Sequence, residues 1–278
     1  MTLPQAVRFY LTPTASDGMG SAFKADFIIS FFPEHSTYLE PFTGSGAVFF
    51  NKEPSKVETL NDLDSRIVNF LKICRDRPQE LVRVIQLTPL SREEYLLSYE
   101  TSPDPLEDAR RLMIRCWQAI GAKTSDKTGW RALIESNGSN TAKEWKEIWQ
   151  RIIAVADRLR DAQIEHQDAI QLLSRYNRKG VLAYVDPPYL LETRSKRHYK
   201  HEFTDADHEA LLDCLVNFKG NIILSGYESE MYNTWLKGWH KEYFSTNAEA
   251  GAKREEVLWM NFQPAGQIDL IELLEESI

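Results

Sequence analysis

The chain of 278 residues predicts an α/β fold, a mostly parallel sheet covered by helices. Short apolar runs alternate with segments of helical periodicity, which is the pattern of strand–helix–strand units. A glycine-rich turn directly follows the first of these runs, and a long helical stretch without strand signals interrupts the alternation.

The predicted strands are Thr37–Glu40, Val57–Leu60, Val181–Val185, Asn221–Ser225 and Glu256–Phe262. Thr204-Asp205-Ala206-Asp207 opens a helix as a cap with an acid at the third position, and Leu211, Leu212, Leu215 and Val216 supply its buried stripe. Gly220 is expected to end that helix before the next strand. From Thr88 to Gln163 no comparable strand signal occurs. Trp145, Ile148, Trp149, Ile152, Ile153, Ala156 and Leu159 fall at helical spacing there, which predicts one amphipathic helix facing a core. The domain reading is therefore a core of residues 1–87 and 164–278, with a helical insertion at 88–163.

Composition is that of a globular protein, with 42% hydrophobic and 27% charged residues. No run approaches the ~20 apolar residues of a membrane span, and Met1–Tyr10 lacks the pattern of a leader, so a cytoplasmic protein without membrane contact is expected. Cys74, Cys116 and Cys214 form no paired-cysteine motif, and His198 and His201 lack a carboxylate or cysteine at ligand spacing. No metal site is expected. Net charge is -8, yet basic residues gather locally: Arg110, Arg111, Arg115, Lys123, Lys127 and Arg131 face one acid, Asp126, and Arg194, Lys196, Arg197 and Lys200 face none. Two basic stretches on an acidic body suit contact with a polyanion on one face; solvated helix faces and loops are the alternative.

Glu40-Pro41-Phe42-Thr43-Gly44-Ser45-Gly46 joins a strand to a helix beginning at Ala47. Its glycines let a ligand approach the backbone. The third glycine of a dinucleotide fingerprint is absent, Phe49 standing there, and no phosphate-binding P-loop motif exists. A nucleoside cofactor without phosphates fits such a turn. Asp62, sixteen positions after Gly46, is placed to accept ribose hydroxyls.

The second motif is Asp186-Pro187-Pro188-Tyr189, directly after the apolar run ending at Val185. A strand that delivers a carboxylate and a proline-stiffened carbonyl to a sheet edge can grip a planar exocyclic amine. A rigid strand-ending turn is the purely structural alternative.

Together these motifs, from about residue 18 to 262, resemble the Dam-like alpha-group N6-adenine DNA methyltransferases, the phage and prophage type above all. The resemblance implies a Rossmann-like S-adenosylmethionine-dependent sheet whose insertion is a target-recognition subdomain. It implies S-adenosylmethionine held by Glu40, Pro41, Phe42, Gly44, Gly46, Asp62 and Asp168, and catalysis by Asp186, Pro187, Pro188 and Tyr189. The family usually carries a Gly-Gly-Lys or Gly-Ala-Lys segment before its first helix. Here the segment reads Gly18-Met19-Gly20-Ser21-Ala22-Phe23-Lys24, so Ser21 stands at the ungapped lysine position and Lys24 is the nearest substitute.

The implied partner is double-stranded DNA with a flipped-out adenine. Arg194, Lys196, Arg197, Lys200, Arg115, Lys123, Lys127 and Arg131 are the expected contacts, and Arg131 and Asn137 are candidates for reading base edges. No nuclease-like segment is visible in this chain, which favours a stand-alone methylase over one that works with a separate restriction endonuclease. Competing readings are a DNA-binding homologue impaired in catalysis, motivated by Ser21, and a glutamine methyltransferase of proteins, whose motif begins with asparagine. Cytosine-N4 enzymes usually have serine or threonine in place of Asp186.

Overall fold

The computed structural model describes residues 21–120, 127–132, 141–190, 202–247 and 253–264. Their strands are β1 (Thr37–Glu40), β2 (Val57–Asn61), β3 (Gln163–Glu165), β4 (Val181–Val185), β5 (Asn221–Gly226), β6 (His240–Asn247) and β7 (Lys253–Met260). They form one sheet in the order β3-β2-β1-β4-β5-β7-β6. Pairing is parallel from β3 through β5, while β7 runs antiparallel to β5 and to β6. All five residues of β4 are buried, as expected of a strand covered on both faces.

Two strands escaped the sequence reading for physical reasons. β3 is three residues long at one edge of the sheet, and β6, at the other edge, reads His-Lys-Glu-Tyr-Phe-Ser-Thr-Asn without an apolar run. Both draw their conformation from the neighbouring strand. The last predicted strand begins earlier than expected, at Lys253, and ends at Met260.

The helices are α1 (Ser21–Ser30), α2 (Ala47–Asn51), α3 (Ser65–Asp76), α4 (Pro78–Gln86), α5 (Arg92–Leu97), α6 (Pro105–Gln118), α7 (Thr141–Glu147), α8 (Trp149–Leu159), α9 (Ala169–Tyr176), α10 (Asp205–Val216) and α11 (Glu230–Trp235). The reciprocal cap of α10 forms as its sequence dictates, between Thr204 and Asp207. Gly220 does not end α10, which closes at Val216 with Asn217 as its cap. Its role is close approach instead: a Cβ there would sit 2.5 Å from the Val181 carbonyl oxygen.

The single amphipathic helix expected around residues 145–159 is two helices, α7 and α8, broken at Ile148. Trp145, Ile148, Ile152, Ala156 and Leu159 are buried, but Ile153 is 42% exposed. One hydrophobic cluster joins the sheet to the stretch 88–163: Tyr38, Leu60, Leu182 and Ile223 share it with Leu112, Met113, Trp117, Trp145, Ile152 and Leu159. A second cluster, including Leu39, Val181, Ala183, Leu211, Leu224 and Trp259, covers the opposite face.

Charge is buried against α2. The Glu58 carboxylate accepts from both Lys52 and Arg158, and Arg158 also donates to the Phe49 carbonyl of α2 at 3.1 Å while lying 3.8 Å from the Phe49 ring centroid. Burial would push the Glu58 pKa up, but its two cationic partners hold it below the ordinary value.

Candidate active site

The chain winds outward from β1 through β2 to β3, then returns to β4 on the other side of β1. Such a reversal leaves a crevice at the carboxyl ends of the two central strands. The cavity there measures about 410 Å³. Its walls bring together Glu40, Pro41, Phe42 and Gly44 from the turn after β1, Asp62 after β2, Asp168 before α9, Asp186 and Pro188 after β4, and Lys24 from α1.

The turn holds its shape through Asn61 and Asp62. Asn61 donates to the carbonyls of Pro41 at 2.9 Å and Gln167 at 3.0 Å, and its own carbonyl accepts from the Gln167 backbone at 2.9 Å. One side chain therefore joins the turn after β1 to the loop after β3. Asp62 accepts from the backbone N–H groups of Gly44 and Asp64, each at 2.8 Å. Gly44 and Gly46 both have positive φ, 48° and 65°. They do different work: a Cβ on Gly46 would stand 2.7 Å from the Phe50 ring, whereas a Cβ on Gly44 would meet open space. Gly46 is not on the cavity wall and serves the turn's packing against α2.

Asp168 caps α9, accepting from the Gln171 backbone at 2.9 Å, and lines the cavity. Glu40 is 2% exposed and accepts from the Tyr38 hydroxyl at 2.8 Å. Burial pushes its pKa up to about 8, the nearby Asp186 charge adds to that rise, and the Tyr38 hydrogen bond opposes it.

Beside the Asp-Pro-Pro-Tyr segment, the Ser225 hydroxyl at the end of β5 donates to Asp186 Oδ1 at 2.5 Å, and the Tyr184 hydroxyl lies 3.3 Å from Ser225 Oγ. Tyr189 turns toward β7, donating to Glu256 at 3.1 Å, with its ring edge-on to Tyr227 at 4.9 Å. Lys24 donates to Glu256 at 2.5 Å and to the Tyr189 hydroxyl at 3.4 Å. Burial opposes the Lys24 charge, but Asp186 and Glu256 hold its pKa above the ordinary lysine value. Lys24 thus occupies the site, while Ser21 begins α1 one turn earlier. Ser225, Tyr184 and Glu256 were read only as strand residues, because what marks them is their placement beside the Asp-Pro-Pro-Tyr segment in space.

The expected DNA contacts fare unevenly. Arg194, Lys196, Arg197, Lys200, Lys123, His198, His201 and Asn137 lie outside the described residues. Arg115 is 8% exposed with its guanidinium 4.7 Å from the Tyr99 ring centroid, so it is a packing residue rather than a DNA-facing one. Arg131 is largely covered, 5.1 Å from the Trp117 ring centroid and 3.9 Å from Glu144. Arg110 and Arg111 are paired with Glu94 and Glu107, so the local positive excess is smaller than their number suggested. Lys127 is exposed.

Residues 24–250 match the family described as D12 class N6 adenine-specific DNA methyltransferase. The chain belongs to that family. It is also 27% identical over 236 residues to the Type II methyltransferase M1.LlaDCHI of Lactococcus lactis subsp. cremoris, covering 79% of this chain and 82% of the relative. Similar solved structures include an rRNA methylase from Streptococcus thermophilus (TM-score 0.37, 10% identity, 86% of this chain and 94% of that one) and a SAM-dependent methyltransferase from Agrobacterium tumefaciens (TM-score 0.35, 10% identity, 87% and 61%). The enzyme is an adenine DNA methyltransferase, its methyl donor is S-adenosylmethionine and its substrate is DNA.

The methyltransferase's cavity fits that donor. Its volume lies within the ~300–1,000 Å³ usual for small-molecule sites. The bare Cα of Gly44 leaves room above the turn, Phe42, Leu63, Ile67 and Phe203 give apolar wall, and Asp62 and Asp168 give acceptors. Among the described residues no group of three or more His, Cys, Asp or Glu is arranged to hold a metal, and no helix is long and apolar enough to cross a membrane.

Proposed function

We propose that the methyltransferase acts on a specific site in double-stranded DNA and methylates an adenine flipped out of the duplex, with Asp186 at the centre of the chemistry. The observation that carries this reading is the common cavity: the Asp186 carboxylate opens onto the same space as Glu40, Gly44, Asp62 and Asp168. S-adenosylmethionine supplies the methyl group on a sulfonium centre that leaves as S-adenosylhomocysteine. Asp62 and Asp168 would hold its nucleoside end, and Pro41, Phe42 and Gly44 would line its site.

The adenine amino nitrogen is a weak nucleophile because its lone pair is delocalised into the ring. Asp186 accepts one of its hydrogens and the Pro187 carbonyl accepts the other, which localises the lone pair toward the methyl donor. Ser225 fixes one carboxylate oxygen of Asp186 and leaves the other to accept from the base. Tyr189 offers its ring as the stacking platform, and Pro188 stiffens the segment between them. Lys127, Lys123, Arg194, Lys196, Arg197 and Lys200 supply phosphate contacts, the last four directly following the catalytic segment in sequence. The helical stretch 88–163 serves as the target-recognition region. The protein works in the cytoplasm, in the restriction-modification setting that the Type II methyltransferase name of the lactococcal relative suggests.

The test is transfer of labelled methyl to unmethylated DNA, read by nucleoside mass spectrometry, with Asp186→Ala as control. N6-methyladenine made by the wild type and lost in the variant is expected. Wild-type turnover by Asp186→Ala would overturn the assignment.

A further inference from the structure

Tyr189 is tied to the fold at its hydroxyl, a part of the ring that stacking does not use. Its partner, Glu256, is 6% exposed on β7, a strand remote in sequence from both motifs. Glu256 Oε2 accepts from the Tyr189 hydroxyl at 3.1 Å and from Lys24 Nζ at 2.5 Å, and Lys24 reaches the same hydroxyl at 3.4 Å. Three elements far apart in the chain, α1, the segment after β4 and β7, therefore meet at one carboxylate oxygen. A carboxylate buried this deeply is costly unless paired, and Lys24 supplies the pairing.

We propose that Glu256 is a positioning residue for methyl transfer: anchored by Lys24, it holds the Tyr189 hydroxyl and thereby sets the angle of the ring against which the target adenine stacks. The inference rests on the reading of Tyr189 as the stacking platform. A ring attached only through its Cα–Cβ bond can rotate about two torsions, and a hydrogen bond to a fixed charged acceptor removes that freedom. The Tyr227 ring, nearly perpendicular to that of Tyr189 with the two centroids 4.9 Å apart, restricts the ring further. Holding the ring before DNA arrives places the ordering cost in folding rather than in catalysis.

The experiment is a double-variant cycle on the full chain, measuring kcat, KM for DNA, S-adenosylmethionine affinity and the fluorescence of 2-aminopurine at the target adenine. Glu256→Ala is expected to lower kcat about 10-fold or more, as for loss of a hydrogen bond to a charged group, with S-adenosylmethionine affinity unchanged. Tyr189→Phe keeps the ring and loses the hydroxyl, and should produce a similar fall. The double variant should be no worse than Glu256→Ala alone, because both changes break the same Tyr189–Glu256 hydrogen bond. Glu256→Gln retains an acceptor oxygen and should recover most of kcat and of the 2-aminopurine signal, which controls for misfolding of the alanine variant. Additive losses in the double variant, or unchanged kcat in Glu256→Ala, would overturn the positioning role. Asp186→Ala in the same series reports on the underlying site separately: full activity there overturns the catalytic assignment itself.

Discussion

The Ser225 hydroxyl donates to Asp186 Oδ1 at 2.5 Å, joining the end of β5 to the first residue after β4. The bond crosses between neighbouring parallel strands, so the orientation of the Asp186 carboxylate is inherited from strand pairing. Ser225→Ala frees the carboxylate to rotate. We expect kcat to fall about 10-fold with S-adenosylmethionine affinity retained, measured by steady-state methylation and calorimetric titration.

Asn61 serves the other half of the site. It is 1% exposed and makes three hydrogen bonds, two donated and one accepted, to Pro41 and Gln167. Asn61→Ala takes that partner from the buried Pro41 carbonyl and from the half-buried Gln167 backbone, which costs about 1–3 kcal/mol. Denaturant unfolding should show that loss, and S-adenosylmethionine binding should weaken in step because the turn and the Asp168 loop are no longer held together.

The two turn glycines should respond differently to the same change. Gly46→Ala places a methyl 2.7 Å from the Phe50 ring on a left-handed backbone, and is expected to lower the melting temperature markedly. Gly44→Ala carries only the backbone strain, about 1–2 kcal/mol, but its methyl enters the space above the turn. Its principal loss should be cofactor affinity, seen by titration of the folded variant.

Glu40 makes stability fall with rising pH. Its folded pKa of about 8 exceeds its ordinary value of 4.5 because the group is buried near Asp186. Below 4.5 folded and unfolded chains both hold the proton. Between 4.5 and 8 the folded state holds it preferentially, so this favourable contribution shrinks as pH rises and is gone above about 8. Glu40→Gln, neutral throughout, should flatten that slope in melting curves recorded across the range. An unchanged slope would show that Glu40 ionises normally.

Glu58 works in the opposite sense. Its lowered pKa means that its contribution is present above the ordinary 4.5 and fades as pH falls below it. Removing its charge strands two buried cations, Lys52 and Arg158, whereas removing Arg158 leaves Glu58 paired with Lys52. Glu58→Ala should therefore cost about 3–5 kcal/mol in denaturant unfolding and more than Arg158→Met.

Much of this enzyme is written locally. The strand–turn–helix around Gly44, the all-apolar β4 with Asp-Pro-Pro-Tyr at its end, and the Thr204 cap each specify their structure within a few residues, because strand burial, backbone freedom and capping are short-range properties. The sequence alone therefore determined the sheet's central strands, the order of the two motifs and several of the side chains that line the cavity. Contacts between distant segments were decided only by the tertiary structure. Lys24 stands on the cavity wall because α1 docks where its side chain reaches Glu256. Ser225 becomes Asp186's partner because β5 pairs with β4, and Arg115 leaves the expected DNA face because it packs on Tyr99. β3 and β6 likewise became strands only by pairing at the sheet's edges. A residue's type fixes the chemistry it can perform, whereas its neighbours across the fold fix whether that chemistry faces the substrate or the core.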